Sequence, residues 1–213
     1  MSRYETEEEQ IEAFKSWWNK YGTQLLSAVL VVVLAFSGWR YWTNSQYVQN
    51  ANASSMYEYL QVNLQQGSFG EVSREALKLM QEQPSSPYAA GAAMLHATYN
   101  LEKGEIDEAV ENLKWVIANS DDEALKTVAH IRLARILSDN GKMSEAEEQI
   151  SALQKMQLNG SAQGELDYVS GVLALKKQDV EKAFNAFTAV VSNPQTEKNL
   201  LGLAQIQLDD LAK

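Results

Sequence analysis

The chain has no cysteine and only three prolines among its 213 residues. Without cysteine it can form neither a disulfide nor a thiolate metal site. The prolines, Pro84, Pro87 and Pro194, leave long uninterrupted stretches rich in Ala, Leu, Glu, Gln and Lys, which favour helix. Alternating runs of Val, Ile and Thr, the usual sign of strands, are missing outside one segment. The composition therefore predicts an all-α fold.

Positive charge is scarce, and this scarcity excludes one class of partner. The formal net charge is -10. After Tyr41 the chain carries 14 basic and 23 acidic residues, so 14 − 23 gives -9 for this part. Nucleic-acid binding needs clustered Lys and Arg side chains that displace counterions. We therefore expect no nucleic-acid partner.

Residues with catalytic chemistry are few. The two histidines, His96 and His130, lie in no recognised motif, and a hydrolase needs a nucleophile with an oriented base. The sequence has no glycine-rich loop of the kind that holds phosphates. A metal held by the two histidines is the weaker alternative, because neither cysteines nor an H-x-x-x-H spacing supports it. We expect no enzyme activity, no cofactor and no metal.

One segment is apolar enough to insert into a membrane. Residues 25–39 carry no charge, and the stretch from Tyr21 to Tyr41 spans roughly 30 Å as a helix, the thickness of a bilayer core. Aromatic residues, which prefer the membrane interface, flank both ends: Trp17, Trp18 and Tyr21, then Trp39, Tyr41 and Trp42. This predicts a transmembrane helix over residues 23–42. The alternatives are a buried core helix and a signal peptide cleaved at residues 51–53, although that site lies about a dozen residues beyond the run.

The basic residues near the two ends orient the span. The N-terminal side holds the terminal amine and three basic residues: Arg3, Lys15 and Lys20. The other side has only Arg40 close to the membrane. The prediction places residues 1–22 inside and residues 43–213 outside.

A short helix is predicted before the span. Thr6 and Glu9 have the spacing of a capping box. Apolar residues then recur at helical spacing: Ile11, Phe14, Trp18 and Tyr21. This pattern is typical of a helix in the membrane interface, with partner binding as the alternative role, and we expect it to break near Gly22.

The rest of the chain repeats with a period of 37 residues. Three segments align, and their alanines give the period, since 146 − 109 and 183 − 146 are both 37. Small residues recur on each first helix and on each second helix: Ala97, Ala134 and Gly171, then Ala109, Ala146 and Ala183. Large apolar residues fill two further columns: Leu113, Ile150 and Phe187, then Val116, Leu153 and Val190. The small residues let paired helices approach, and the large ones fill the interface.

These columns resemble the tetratricopeptide repeat, whose usual period is about 34 residues. They predict a helical solenoid, with an unrelated helical bundle as the alternative. Gly104 and Gly141 suit the left-handed residue that ends a helix, whereas Gln178 predicts a turn built differently. A weaker first unit carries Leu64, Ala76, Met80 and Pro84. Helices are predicted over residues 51–66, 71–82, 86–102, 105–119, 122–139, 143–157, 162–177 and 180–192, with a capping helix after Pro194.

An acidic interfacial start, one span that ends in Gly38-Trp39-Arg40-Tyr41-Trp42, and degenerate repeats together resemble the YfgM-type ancillary subunits of the bacterial SecYEG translocon. The segment Ile-Arg-Leu-Ala-Arg-Ile at residues 131–136 adds to the resemblance, which covers nearly the whole chain. The resemblance implies an inner-membrane protein with residues 1–22 in the cytoplasm and residues 43–213 in the periplasm.

The same resemblance implies partners. These are the SecYEG translocon and the membrane-anchored periplasmic chaperone PpiD, with exported polypeptides, which the protein would help to hand to chaperones, as further candidates. The family has no catalytic residues to carry over. An envelope adaptor in assembly or stress signalling, without a translocon role, is the alternative.

In tetratricopeptide arrays the first helices line a concave groove, which predicts a partner-binding strip. The groove-facing positions are Met94, Thr98, Leu101, Val128, Ile131, Arg135, Tyr168, Val172 and Leu175. The strip is largely apolar on an acidic domain, and such patches mark partner sites. The alternative is that a neighbouring helix, such as the one after Pro194, covers the strip and makes it core.

Overall fold

The computed structural model describes residues 7–212, which form nine helices and no strand. The helices are α1 Glu7–Gln65, α2 Phe69–Glu82, α3 Pro87–Lys103, α4 Ile106–Asn119, α5 Glu123–Asp139, α6 Met143–Leu153, α7 Gly160–Lys176, α8 Val180–Ser192 and α9 Lys198–Leu211. The chain divides into two compact units, Met1–Ala51 and Asn52–Lys213. The all-α prediction is confirmed for the described residues.

The N-terminal unit consists of the greater part of α1. Its most apolar 18-residue stretch has only 6% of its residues buried, so the buried-core-helix alternative does not apply. The helix is long and apolar enough to cross a membrane. Thr6, half of the predicted capping box, lies outside the described residues.

The expected break near Gly22 is wrong, because α1 continues through this residue. Glycine inside a helix costs only roughly 0.5–1 kcal/mol relative to alanine, which the helix-forming neighbours outweigh. The ring of Trp18 lies over Gly22 and approaches to 3.0 Å of where a Cβ would stand. The missing side chain thus makes room for an indole ring and does not end the helix.

The second unit is a series of helix pairs. The end of α1 packs with α2 and α3 in one buried cluster. Helix α3 pairs with α4, α5 with α6, and α7 with α8, and α9 follows the last pair. The small residues predicted to allow close approach lie inside: Ala97, Ala109, Ala134, Ala146 and Ala183 are at most 1% exposed. The large apolar columns are buried with them. The predicted columns are therefore the contacts between paired helices.

The turn inside each helix pair is the same in all four pairs. Its left-handed residue is Gly67, Gly104, Gly141 or Gln178, with φ between 63° and 78°. The following N–H donates to the carbonyl five residues back, at 2.8–2.9 Å, which is the Schellman arrangement. These positions are 37 residues apart, so the weak first unit belongs to the repeat series. The expectation of a different turn at Gln178 is wrong, because Gln178 adopts the same conformation.

The first helices of three pairs begin with a side-chain cap. The Oδ1 atom of Asp122 accepts a hydrogen bond from the Ala124 N–H at 2.8 Å, and that of Asn159 accepts one from the Ala162 N–H at 2.8 Å. Ser86 plays the same role before α3. The caps satisfy N–H groups that a helix leaves unpaired, and they set where the first helices start.

Candidate partner-binding surface

The nine strip residues lie on α3, α5 and α7, but their side chains differ in exposure. Met94 and Ile131 are 8% and 5% exposed and belong to the core of the middle repeats. Packing accounts for these two residues, and neither offers a surface to a partner. Thr98 and Arg135 are exposed, whereas the other five are half-buried: Leu101, Val128, Tyr168, Val172 and Leu175.

The C-terminal third of the strip packs beside the last helix. Tyr168, Val172 and Leu175 contact a buried cluster formed by α7, α8 and Ala204 of α9. Three leucines of α9 pack on the same cluster: Leu200, Leu208 and Leu211. The Tyr168 ring meets that of Phe187 edge-on, with centroids 5.6 Å apart. Leucines of the capping helix thus pack on the same cluster as these three residues, which stay half-buried.

Three strip residues do come together around one cavity. Arg135, Tyr168 and Val172 line a space of about 230 Å³ between α5 and α7, with Ser138, Asp139 and Val169 completing its wall. Lys176 of α7 contacts two of these wall residues, because its Nζ donates to the Ser138 carbonyl at 3.0 Å and to Asp139 Oδ1 at 2.6 Å. This cavity is a cleft with an exposed guanidinium and an aromatic ring on its walls.

A larger cavity lies between the N-terminal ends of the same two helices. It has a volume of about 590 Å³. Its walls come from α5, the α6–α7 connection and α7: Glu123, Ala124, Thr127, Val128, Met156, Gln157, Leu158, Asn159, Ser161, Ala162 and Glu165. Of the strip residues, Val128 lines it. Leu158, an apolar residue between two predicted helices, was the available signal in the sequence. Met156 falls inside the helix predicted over residues 143–157, and the strip omits both.

The histidines hold helices together. His96 is 6% exposed. Its Nε2 lies 2.8 Å from Ser73 Oγ, and its Nδ1 lies 3.3 Å from Asn112 Oδ1. Burial lowers the pKa of His96, against the hydrogen bond to Asn112. His130 Nδ1 lies 2.8 Å from Gln149 Oε1. Among the described residues no three His, Asp or Glu side chains gather where a metal could be held.

Two further polar side chains lie on the helices that carry the strip. The Arg132 Nη1 donates to Thr98 Oγ1 at 3.4 Å and so links α5 to α3. On α7, burial raises the pKa of Asp167, while the hydrogen bond that it accepts from Gln163 at 2.8 Å opposes the shift.

Comparison with known proteins decides the family. The tetratricopeptide repeat-like domain matches residues 15–213. The chain belongs to the tetratricopeptide repeat-like family. The four equivalent turns and the small columns between paired helices are thus the family's repeat in a 37-residue form.

Curated relatives match most or all of the chain. A protein of Escherichia coli strain K12 named Ancillary SecYEG translocon subunit is 28% identical, with all of both chains covered. A protein of the same name from Haemophilus influenzae is 28% identical over 96% of this chain and 97% of its own. A third, from Neisseria gonorrhoeae, is 26% identical over 68% of this chain and 70% of its own. The resemblance inferred from the sequence is confirmed by these matches.

Proposed function

We propose that this chain is a membrane-anchored, non-enzymatic ancillary subunit of a SecYEG translocon. The observation that carries the proposal is similarity over the full length, span included, to a protein bearing that name. One helix of sufficient length and apolarity for a membrane supports the anchor. Histidines that are engaged in hydrogen bonds between helices support an adaptor role over a catalytic one.

We further propose that the repeat domain lies in the periplasm and binds proteins there. The excess of basic residues before the span supports this orientation. The proposed partners are the chaperone PpiD and exported polypeptides, which the protein would help to pass to chaperones. The exposed guanidinium of Arg135 beside the ring of Tyr168 supports a role for the cleft between α5 and α7, because Arg and Tyr recur at the centres of interfaces.

Copurification in mild detergent tests the translocon proposal. The tagged full-length protein should retain SecY, SecE and SecG. A matched variant with residues 23–42 replaced by an unrelated transmembrane helix reports whether the span takes part. If the wild-type protein is extracted intact and captures no translocon subunit, the proposal is wrong and the envelope-adaptor alternative takes its place.

The cleft between α5 and α7 is tested separately. Arg135→Glu should lower capture of PpiD by about fivefold or more while the translocon is retained, since loss of an energetically important interface residue costs more than about 1 kcal/mol. Lys78→Glu, the same charge change on an exposed residue of α2, is the control. Equal loss in both variants would indicate a general charge effect. Equal retention would exclude the Arg135 contact.

A further inference from the structure

The connection between α6 and α7 departs from the repeat. Helix α6 ends at Leu153 and α7 begins at Gly160, so six residues, 154–159, join them. The equivalent connection between α4 and α5 has three residues, 120–122. Helix α6 has 11 residues where α4 has 14. The last turn of α6 is therefore missing, and its residues form an irregular segment beside the start of α7.

Two residues in this segment are apolar where the two neighbouring repeats are polar. Met156 stands 37 residues after Asn119 and 37 before Asn193. Leu158 stands likewise between Asp121 and Gln195. Met156 and Leu158 are both half-buried and pack against the core of the middle repeats. This repeat thus has apolar side chains at positions where the neighbouring repeats have polar ones.

The cavity behind this segment, of about 590 Å³, falls within the range of roughly 300–1,000 Å³ typical of ligand pockets. Its apolar walls are Val128, Met156, Leu158 and Ala162. Two polar side chains in the wall are already used inside the protein. Thr127 Oγ1 donates to the Glu123 carbonyl at 2.8 Å, and Asn159 Oδ1 caps α7. Gln157 and Ser161 are the other uncharged polar residues of the wall. The four apolar residues provide a surface for an apolar occupant.

Both charged side chains in the wall are acidic. Glu123 pairs with Lys126, with Nζ and Oε1 2.8 Å apart. Across the part of the chain that the structure describes, no ion pair involves Glu165, which is half-buried. The sequence after Tyr41 carries a formal charge of -9. A cation beside the cavity would thus meet an uncompensated carboxylate and a negative field.

We propose that this cavity binds one large apolar side chain of an extended polypeptide whose neighbouring residue is Lys or Arg. The apolar side chain occupies the space between Val128, Met156 and Leu158, and the cation lies at Glu165. The inference rests on the proposed role of the domain in binding proteins. It names a site distinct from the Arg135 cleft and gives the chemistry of the segment that the site prefers.

Fluorescence anisotropy on the full-length protein in nanodiscs tests the peptide chemistry. Three labelled Gly/Ser peptides are compared: one with adjacent Leu and Lys, one with Glu in place of Lys, and one with Ser in place of Leu. The Leu–Lys peptide should bind most tightly, and its advantage over the Leu–Glu peptide should shrink as salt is added. Equal affinities for all three peptides, or no binding of the Leu–Lys peptide, would overturn the proposal.

Two substitutions locate the binding site. Glu165→Gln should weaken binding of the Leu–Lys peptide by about fivefold, the equivalent of ~1 kcal/mol for a partly exposed ion pair. The same substitution should not weaken binding of the Leu–Glu peptide. Ala124→Trp, on an exposed wall residue, should fill the cavity and weaken both Leu peptides by about tenfold or more. Circular dichroism melts verify that each variant is folded.

Matched controls use residues outside the cavity wall. Glu148→Gln removes the same charge from an exposed residue of α6, and Ala118→Trp adds the same ring to an exposed residue of α4. Both should bind peptide like the wild type. If Glu165→Gln and Ala124→Trp also bind like the wild type while the translocon still copurifies, the cavity proposal is wrong and the proposed function stands. If the wild-type protein itself fails to copurify the translocon, that result would instead count against the proposed function.

Discussion

Among the described residues, Gln178 is the non-glycine residue with a left-handed backbone conformation. It has a φ of 63°, where the three equivalent turns have glycine. An L-residue in the left-handed region costs roughly 1–2 kcal/mol. The two hydrogen bonds of the turn, from Gln178 N–H to the Leu175 carbonyl and from Asp179 N–H to the Ala174 carbonyl, are both 2.9 Å long. The tertiary packing of α7 on α8 thus holds the residue in place.

Gln178→Gly should stabilise the protein by roughly 0.5–1 kcal/mol, because relief of the left-handed strain exceeds the entropy that glycine adds to the unfolded chain. The reciprocal change, Gly141→Gln, should destabilise by about 1 kcal/mol. Nothing lies within 4 Å of a Cβ at Gly141, so steric overlap does not confuse the comparison. Melting temperatures in detergent measure both. A fall in Tm for Gln178→Gly would contradict the strain argument.

His96 joins three helices through its two ring nitrogens. Asn112 Nδ2 donates to the Glu108 carbonyl at 2.9 Å, so its Oδ1 accepts from the protonated Nδ1 of His96. The Nε2 of His96 then accepts from Ser73 Oγ. The folded state therefore holds His96 in its neutral form, in agreement with the lowered pKa of His96 caused by burial.

Stability should fall as pH drops below the ordinary histidine pKa of about 6.5. The unfolded chain then binds a proton that folded His96, with its lowered pKa, does not, so protonation favours unfolding. The loss is complete once the pH is below the folded pKa. His96→Gln should flatten this dependence, measured by urea unfolding between about pH 8 and pH 5.5, where most carboxylates stay ionised. Identical slopes for variant and wild type would exclude His96 as the cause.

At the scale of helices, Gly171 sets how closely α7 and α8 approach. A Cβ at Gly171 would stand 2.8 Å from the Phe187 ring, which is fully buried. Phe187 is the large residue of its column where the other repeats have Leu113 and Ile150. A small residue on one helix and a large one on the other thus form one complementary contact.

Gly171→Ala should destabilise by roughly 1–3 kcal/mol, because the added methyl group overpacks the Phe187 contact. Gly202→Ala is the matched control, since Gly202 lies inside α9 with nothing within 4 Å of its Cβ position. This control should stabilise by roughly 0.5–1 kcal/mol through helix propensity. Chemical unfolding of both variants measures the difference. Equal effects of the two alanines would mean that packing at Gly171 does not limit the helix pair.

At the scale of the whole molecule, the absence of cysteine makes topology directly measurable. Ser144→Cys introduces an exposed thiol on α6, and Ser16→Cys introduces one before the predicted span. In cells with a breached outer membrane, a membrane-impermeant maleimide should label Ser144→Cys at once. Ser16→Cys should be labelled only after the inner membrane is dissolved. The reverse pattern would overturn the predicted orientation.

Much of the helical architecture follows from local information. The helix predicted over residues 180–192 agrees with α8, Val180–Ser192, because apolar spacing and a preceding turn define it. The helix predicted over 143–157 is too long, since α6 ends at Leu153. Apolar Met156 extends the helical pattern in the sequence, whereas in the structure it leaves the helix and packs against the core.

The sequence by itself determined the long apolar segment, the 37-residue period and the small and large columns between paired helices, because these depend on composition and spacing along one or two neighbouring helices. Only the tertiary structure decided which strip residues are exposed and which are buried. Ile131 is buried and Arg135 exposed although they are one helical turn apart. Their burial depends on packing between repeats, and the cavity beside Glu165 likewise exists only where an irregular connection meets a helix of the next repeat.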